Sequence, residues 1–152
     1  MTWQEYFRKI AHQVKLKSKD NITHIGAVIV GSDNQIVSTG YNSFPRGIND
    51  DLEHRQQRPE KYYFFEHAER NAIYNAALIG VSTKGTTMYL TCGIPCTDCA
   101  RGIINAGIRH IVCETETSEL NSGGTNRQLW DEHAKRSLEM FNEAGVTVSY
   151  YD

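Results

Sequence analysis

The 152-residue chain carries 16 lysines and arginines against 18 aspartates and glutamates, a net charge of −2, which excludes the strong basic field of a nucleic-acid-coating or polybasic membrane-binding protein. A hydrophobic content of 39% with a mean hydropathy of −0.51 describes a soluble globular chain, and no run approaches the roughly 18 consecutive apolar residues of a membrane span. Folding at this length buries roughly 68–70% of the unfolded surface, enough for one core, so the expectation is a single domain over 1–152, in the cytosol because Met1-Thr2-Trp3-Gln4-Glu5 lacks a signal-peptide apolar region.

Apolar residues at Trp3, Tyr6, Phe7, Ile10, Ala11 and Val14 follow steps of three and four and predict an amphipathic first helix. A short apolar run over 25–30, turn chemistry over 31–34 and a second run over 35–41 predict a β-hairpin. Residues 42–66, with two of the three prolines and many charges, read as a long excursion. An alanine-rich helix over 68–79 ends at Gly80. A strand over 86–91, a helix opened by Pro95 and running to Ala106 and Gly107, and a strand over 108–113 come next. Ser122, Gly123 and Gly124 read as a loop. A last helix over 128–143, with Leu129, Trp130, Ala134, Leu138 and Phe141, and a strand over 146–150 complete the chain. Strands alternating with helices predict an α/β fold whose sheet is covered on both faces.

Four cysteines, at 92, 96, 99 and 113, in a cytosolic chain point to metal ligation before disulfides. His67-Ala68-Glu69 opens one predicted helix and Pro95-Cys96-Thr97-Asp98-Cys99 another. Cysteines at i and i+3 of a first turn share a side, and the positive end of the helix favours their thiolates. One imidazole and two thiolates make three ligands, and three protein ligands with an open fourth position is the pattern of catalytic zinc. Glu69, two residues past the histidine, is placed to exchange a proton with a metal-bound water.

The histidine-x-glutamate and proline-cysteine-x-x-cysteine signature resembles that of the zinc-dependent nucleobase deaminases. Ser18-Lys19-Asp20, the run from Ile25 to Val30, Gly40-Tyr41-Asn42, Pro45-x-Gly47-x-x-Asp50-Asp51, His67-Ala68-Glu69-x-Asn71-Ala72-Ile73 and Ala106-Gly107-Ile108 resemble the deoxycytidylate deaminases in the same order. This resemblance implies a three-layer α/β/α cytidine-deaminase-like fold with a central five-stranded mixed sheet. It implies hydrolytic deamination of dCMP to dUMP with release of ammonia, with His67, Cys96 and Cys99 on Zn2+ and Glu69 as the proton shuttle. It also implies that Asn42 contacts the sugar and that the Ala68 backbone reads the base edge, with Ser18 and Lys19 as candidates for the substrate phosphate. Family habit further implies a homo-oligomer, often a hexamer, activated by dCTP with Mg2+ and inhibited by dTTP. The matching segment holds Arg46, Gly47, Asp50 and Asp51. Ser43 stands where the family usually has glycine after Gly-Tyr-Asn, and His24 where it often has glutamine.

Other readings of the same residues stay open at this level. Cys92 and Cys113 suit buried strand positions, or Cys92 a fourth ligand that closes the site. Glu53, His54 and Glu66 suit a solvated loop or a second metal; Lys19, Arg46 and Arg70 suit exposed charge or phosphate contacts. Tyr62-Tyr63-Phe64-Phe65 suits core, a subunit interface or stacking on the base. Among functions, dCTP or a 5-substituted dCMP competes with dCMP as substrate. A tRNA adenosine deaminase and a non-catalytic zinc scaffold are the more distant rivals; net charge opposes the first and retention of Glu69 the second.

Overall fold

Thr2 starts the first helix with a capping box: its hydroxyl accepts the Glu5 N–H at 3.1 Å while the Glu5 carboxylate accepts the Thr2 N–H at 2.7 Å. This helix, α1 (Trp3–Val14), is followed by β1 (Gly26–Val30), β2 (Ile36–Tyr41), α2 (Glu60–Phe64), α3 (Ala68–Ile79) and β3 (Thr87–Leu90). Then come α4 (Thr97–Asn105), β4 (His110–Cys113), α5 (Arg127–Ala144) and β5 (Thr147–Tyr150). The computed structural model describes residues 1–115 and 127–152, so the loop expected at Ser122, Gly123 and Gly124 lies outside the described residues.

The five strands form one mixed sheet in the order β2-β1-β3-β4-β5. β1 runs antiparallel to both β2 and β3, whereas β3, β4 and β5 are parallel. β1 is buried along its whole length, as a run of five small and branched residues inside a two-sided sheet must be. Its alternate residues serve the two faces. Val28 and Val30 meet Phe7 and Ala11 of α1, while Ala27 and Ile29 join Met88, Leu90 and Ile111 against Ala68 and Ala72 of α3, Ala100 and Ile103 of α4, and Phe141 of α5. Full burial of side chains such as Phe7, Ile29 and Phe141 stabilises the fold by about 1.5–3 kcal/mol each.

Two expectations need correction. The apolar stripe of α1 is shorter than its spacing suggests, because Trp3 and Tyr6 stay exposed and their rings pack on Phe7 at 5.7 and 5.2 Å rather than on the sheet. The excursion over 42–66 is also not all loop. It contains a 3-10 turn (Glu53–Gln56) and the five-residue α2, elements too short to leave a periodic pattern.

What positions the functional helix is its approach to β2. A Cβ on Gly40 would lie 2.3 Å from the Ala72 nitrogen and 2.5 Å from the Ala68 carbonyl oxygen, so only glycine lets α3 lie this close. Ala68, Ala72 and Ala76 make the helix face equally thin. Asn71 and Asn75 then donate to the Tyr41 and Thr39 carbonyls at 2.8 and 2.7 Å, and the Ser38 hydroxyl to the Ala72 carbonyl at 2.7 Å. The edge strand is thereby satisfied by side chains of the helix that lies over it. Gly80 ends α3 in the left-handed region at φ 86°, as the sequence predicts.

Candidate active site

Two helix starts face each other to make the site. His67 is the N-cap of α3 and Cys96 the N-cap of α4, both in extended backbone conformation. Pro95 therefore precedes the cap instead of occupying the first helical turn expected for it, and the Cys96 sulfur takes over a capping role, accepting the Cys99 N–H at 3.5 Å. His67 Nδ1 stands 3.5 Å from Cys96 Sγ and 3.4 Å from Cys99 Sγ. Cys96, Cys99 and Glu69 are buried, while His67 keeps partial access to solvent.

These separations test the donor set against a metal. Tetrahedral zinc with nitrogen at about 2.0–2.1 Å and sulfur at about 2.3 Å sets those ligands about 3.5 Å apart, and the three donors already lie at that spacing, all within 4.8 Å of one another. Among the described residues this is the one such group. It excludes Cys92, which is buried beside the site with its thiol pushed well up by burial, so among the described residues no fourth protein donor joins the three. Nor do Glu53, His54 and Glu66 come together as a second centre among the described residues.

The electrostatics of the group suit its chemistry. The hydrogen bond from the Cys99 thiol, against the opposing effect of burial and with help from His67, holds the Cys96 thiol well below its ordinary range. Burial, with the neighbouring Cys96 sulfur, pushes the Cys99 thiol up. Burial works against charge on His67, but the hydrogen bond and charge of Cys96 together with the charge of Glu69 outweigh it and hold the imidazole above its ordinary range. Burial also raises the Glu69 carboxyl, with His67 pulling the other way. A carboxyl so raised takes up a proton more readily than an exposed one.

Residues 1–115 match the family model described as "Cytidine and deoxycytidylate deaminase zinc-binding region". The chain belongs to the cytidine and deoxycytidylate deaminase family. This deaminase is 36% identical over 152 residues to the deoxycytidylate deaminase of Homo sapiens, covering 97% of this chain and 78% of that protein. To the deoxycytidylate deaminase of Mus musculus it is 40% identical with the same coverage. In fold it is similar to the dCMP deaminase of the cyanophage S-TIM5, with a TM-score of 0.72 at 24% identity over 97% of this chain and 96% of that one. The three-layer mixed-sheet architecture expected from the resemblance is therefore the one observed. Among the described residues, no helix of the deaminase is long and apolar enough to cross a membrane.

The remaining predicted residues spread over three places. Ala68, buried at the first position of α3, presents one of the N–H groups that helix geometry leaves without an internal acceptor. Asn42 is buried, with its Oδ1 accepting the Ile25 N–H at 2.8 Å and its Nδ2 donating to the Thr23 carbonyl at 2.7 Å. It sits one residue from Ser43, which exchanges backbone hydrogen bonds with Glu66 next to His67. The Ser18 hydroxyl is engaged inside the chain, donating to the Asn42 carbonyl at 2.7 Å and accepting the Asp20 N–H at 3.2 Å. Lys19 is more exposed, its ammonium 3.9 Å from Asp50.

The segment around 45–51 stands apart from the donors. Exposed Arg46 hydrogen-bonds Asn75 of α3, eight residues from His67 and thus about 12 Å along the helix. Gly47 lies in a turn at φ 81°, closed by the Ile48 N–H on the Pro45 carbonyl. Arg70, weighed from sequence as a phosphate contact, is instead paired with Glu66 and Asp98. Sequence reasoning also missed His133, whose Nδ1 accepts the Thr97 N–H at 3.2 Å and so helps to cap α4 from α5. A lone histidine inside an amphipathic helix carries no signal of that kind.

Proposed function

We propose that this deaminase hydrolyses dCMP to dUMP and ammonia. The observation that carries the reading is the buried carboxyl of Glu69, two residues from a histidine-and-two-cysteine group at zinc spacing. The 36–40% identity to proteins named deoxycytidylate deaminase supports dCMP as the substrate. His67, Cys96 and Cys99 would hold the zinc, which when bound lowers the pKa of a water toward about 7 and so supplies the nucleophile.

The chain's own groups do the rest. Glu69 accepts the proton given up by the water and returns it to ring nitrogen 3 as carbon 4 becomes tetrahedral. It then takes the proton of the new C4 hydroxyl and passes it to the amino group, so that the C4–N bond breaks, the C4 carbonyl forms and ammonia leaves. Burial supports this role, because a carboxyl held above its usual range takes up a proton more readily than an exposed one and keeps it for delivery to the ring. The Ala68 N–H, at the start of α3, is suited to read the base edge. Asn42, its other polar positions engaged, keeps a lone pair of Oδ1 for a sugar hydroxyl. Lys19 is the remaining candidate for the phosphate, with Ser18 shaping the turn that presents it.

Regulation belongs to the same reading. Arg46, Gly47, Asp50 and Asp51 would take dCTP with Mg2+, or dTTP, in a homohexamer, the carboxylates supplying oxygen ligands to the cation. The chain from 1 to 152 would be one catalytic unit, and its four unpaired cysteines suit the reducing cytosol.

The test is a deamination assay on the zinc-loaded protein with dCMP, dCTP, cytidine and 5-methyl-dCMP in parallel, each with and without dCTP or dTTP as effector. Selective turnover of dCMP is expected. Turnover of none of the four by folded, zinc-bound protein would overturn the reading, and preference for dCTP would move the substrate to the triphosphate.

A further inference from the structure

The guanidinium of Arg70 has a place that the proposed reaction does not use. Arg70 follows Glu69 on α3 with its side chain 18% exposed, and its Nε and Nη2 both meet Glu66 Oε1 at 2.5 Å. The same oxygen accepts the His67 N–H at 3.0 Å. On the other side, Arg70 Nη1 stands 3.6 Å from Asp98 Oδ2. Asp98 lies between Cys96 and Cys99 in the first turn of α4 and pairs in turn with exposed Arg101. Glu66 and Arg70 flank the histidine, Asp98 and Arg101 belong to the cysteine turn, and the rung that joins the two pairs is Arg70 to Asp98.

We propose that Arg70 is a positioning residue of the metal centre. By bridging Glu66 and Asp98 it holds the His67 turn at the distance from the Cys96 and Cys99 turn that the donor triangle requires. This rests on the zinc reading of the site and not on the identity of the nucleotide. His67 and Cys96 are 29 residues apart in the chain, so their spacing depends on how α3 and α4 dock, and a site works only when its ligands are held within about 0.5 Å of their productive places. Arg70 takes part in that docking through its stem as well, which passes over Gly102 of α4 with Cγ 3.8 Å from where a Cβ would stand. A planar guanidinium can join carboxylates on two elements with fixed geometry, which a lysine cannot do. The Arg70–Glu66 pair is largely buried, and such a pair is less screened than an exposed one.

The test is zinc affinity by chelator competition, together with the thiolate charge-transfer and d–d bands of the cobalt(II)-substituted protein. Arg70→Met keeps the apolar stem and is expected to weaken zinc binding about 10–100-fold, with altered cobalt bands and an unchanged circular dichroism spectrum. Arg70→Lys, which keeps charge but loses the fork, is expected to stay several-fold weaker than the parent protein. Arg101→Met, at the exposed end of the ladder, is expected to bind zinc as the parent does. Asp98→Asn tests the bridge from its exposed side should Arg70→Met fail to fold; it is expected to weaken zinc binding several-fold and to add nothing in combination with Arg70→Met or Arg70→Lys. Zinc affinity within twofold of the parent in Arg70→Met, or full recovery in Arg70→Lys, or an equal loss in Arg101→Met, overturns the proposal. Parent protein that binds zinc without deaminating dCMP removes the substrate reading and leaves this one standing, whereas parent protein that binds no zinc removes both.

Discussion

Around His67, Glu69, Cys96 and Cys99 the polar side chains are largely buried and meet one another within the chain, whereas over residues 45–51 they lie mostly in solvent and meet single partners, as Arg46 does Asn75 and Asp50 does Lys19. Both regions match stretches of the same family pattern, and they differ in what one chain can complete. The donor corner is fixed by helix ends, by the thin seat of α3 on β2 and by burial, so its geometry exists before a ligand arrives. The segment over 45–51 offers two carboxylates and an arginine on a surface turn, with few partners inside the chain to define them. A catalytic group must be held in advance, while an effector site can be organised by its effector.

The strongest way to break the corner is to remove one of its members. Glu69→Gln is expected to lower dCMP turnover by at least about 10²–10⁴-fold while metal analysis finds zinc content unchanged. Retained turnover would assign the proton shuttle elsewhere. Cys99→Ala should instead remove the zinc itself, with stoichiometry falling toward zero by the same metal analysis.

A subtler break works through the seat. Gly40→Ala drives a methyl into the α3 backbone at Ala68 and Ala72, so it is expected to destabilise the fold by about 1–3 kcal/mol in denaturant titration. Because the displaced helix carries His67 and Glu69, kcat should fall about 10–100-fold more than stability alone explains. If kcat is unchanged, the close approach matters to packing only.

Between the two regions in strength lies an ion cluster that belongs to neither. Glu114, next to β4, accepts from Arg8 at 2.9 and 2.6 Å and shares a 2.6 Å hydrogen bond with His12, joining the sheet to α1. Burial would raise its carboxyl, but the bonds from Arg8 and His12 outweigh this and hold it below the usual value of 4.5. The folded chain therefore keeps Glu114 charged to lower pH than the unfolded chain does, so its contribution is complete above about pH 4.5 and fades as pH falls through the folded value. Glu114→Gln is expected to cost about 1 kcal/mol at neutral pH and to flatten the acid limb of a stability-against-pH curve. An unchanged acid limb would show the cluster to be energetically silent.

The smallest effect is expected at the exposed segment. Asp51→Asn should change stability by less than about 0.5 kcal/mol, and its consequence should appear only as a weaker response to dCTP with Mg2+. A loss of stability as large as that of Gly40→Ala would erase the contrast between the two regions.

Much of this was legible in the sequence. The bounds of α3 at Ala68–Ile79 follow from an alanine-rich run stopped by a glycine, and the donor triad from types and spacing that few other chemistries share. What stayed hidden depends on partners far along the chain. Arg70 and Glu66 stand four apart in the chain at the start of α3, a pattern readable in itself, but the partner that gives them meaning, Asp98, is on another helix. His133 reaches Thr97 across 36 positions. The short helical turns of 53–64 have less than two turns of periodicity to betray them, and the exposure of Trp3 and Tyr6 depends on where α1 meets the sheet, which spacing alone does not say.

The separation of 29 residues between His67 and Cys96 has a consequence for how the protein is made. At about 5–20 residues per second, the histidine is synthesised some 1.5–6 seconds before the first cysteine, and no fragment ending between them holds more than one ligand. A donor set of all three ligands must then wait until α4 has emerged and docked on α3, so the complete site is a late product of that half of the molecule during synthesis.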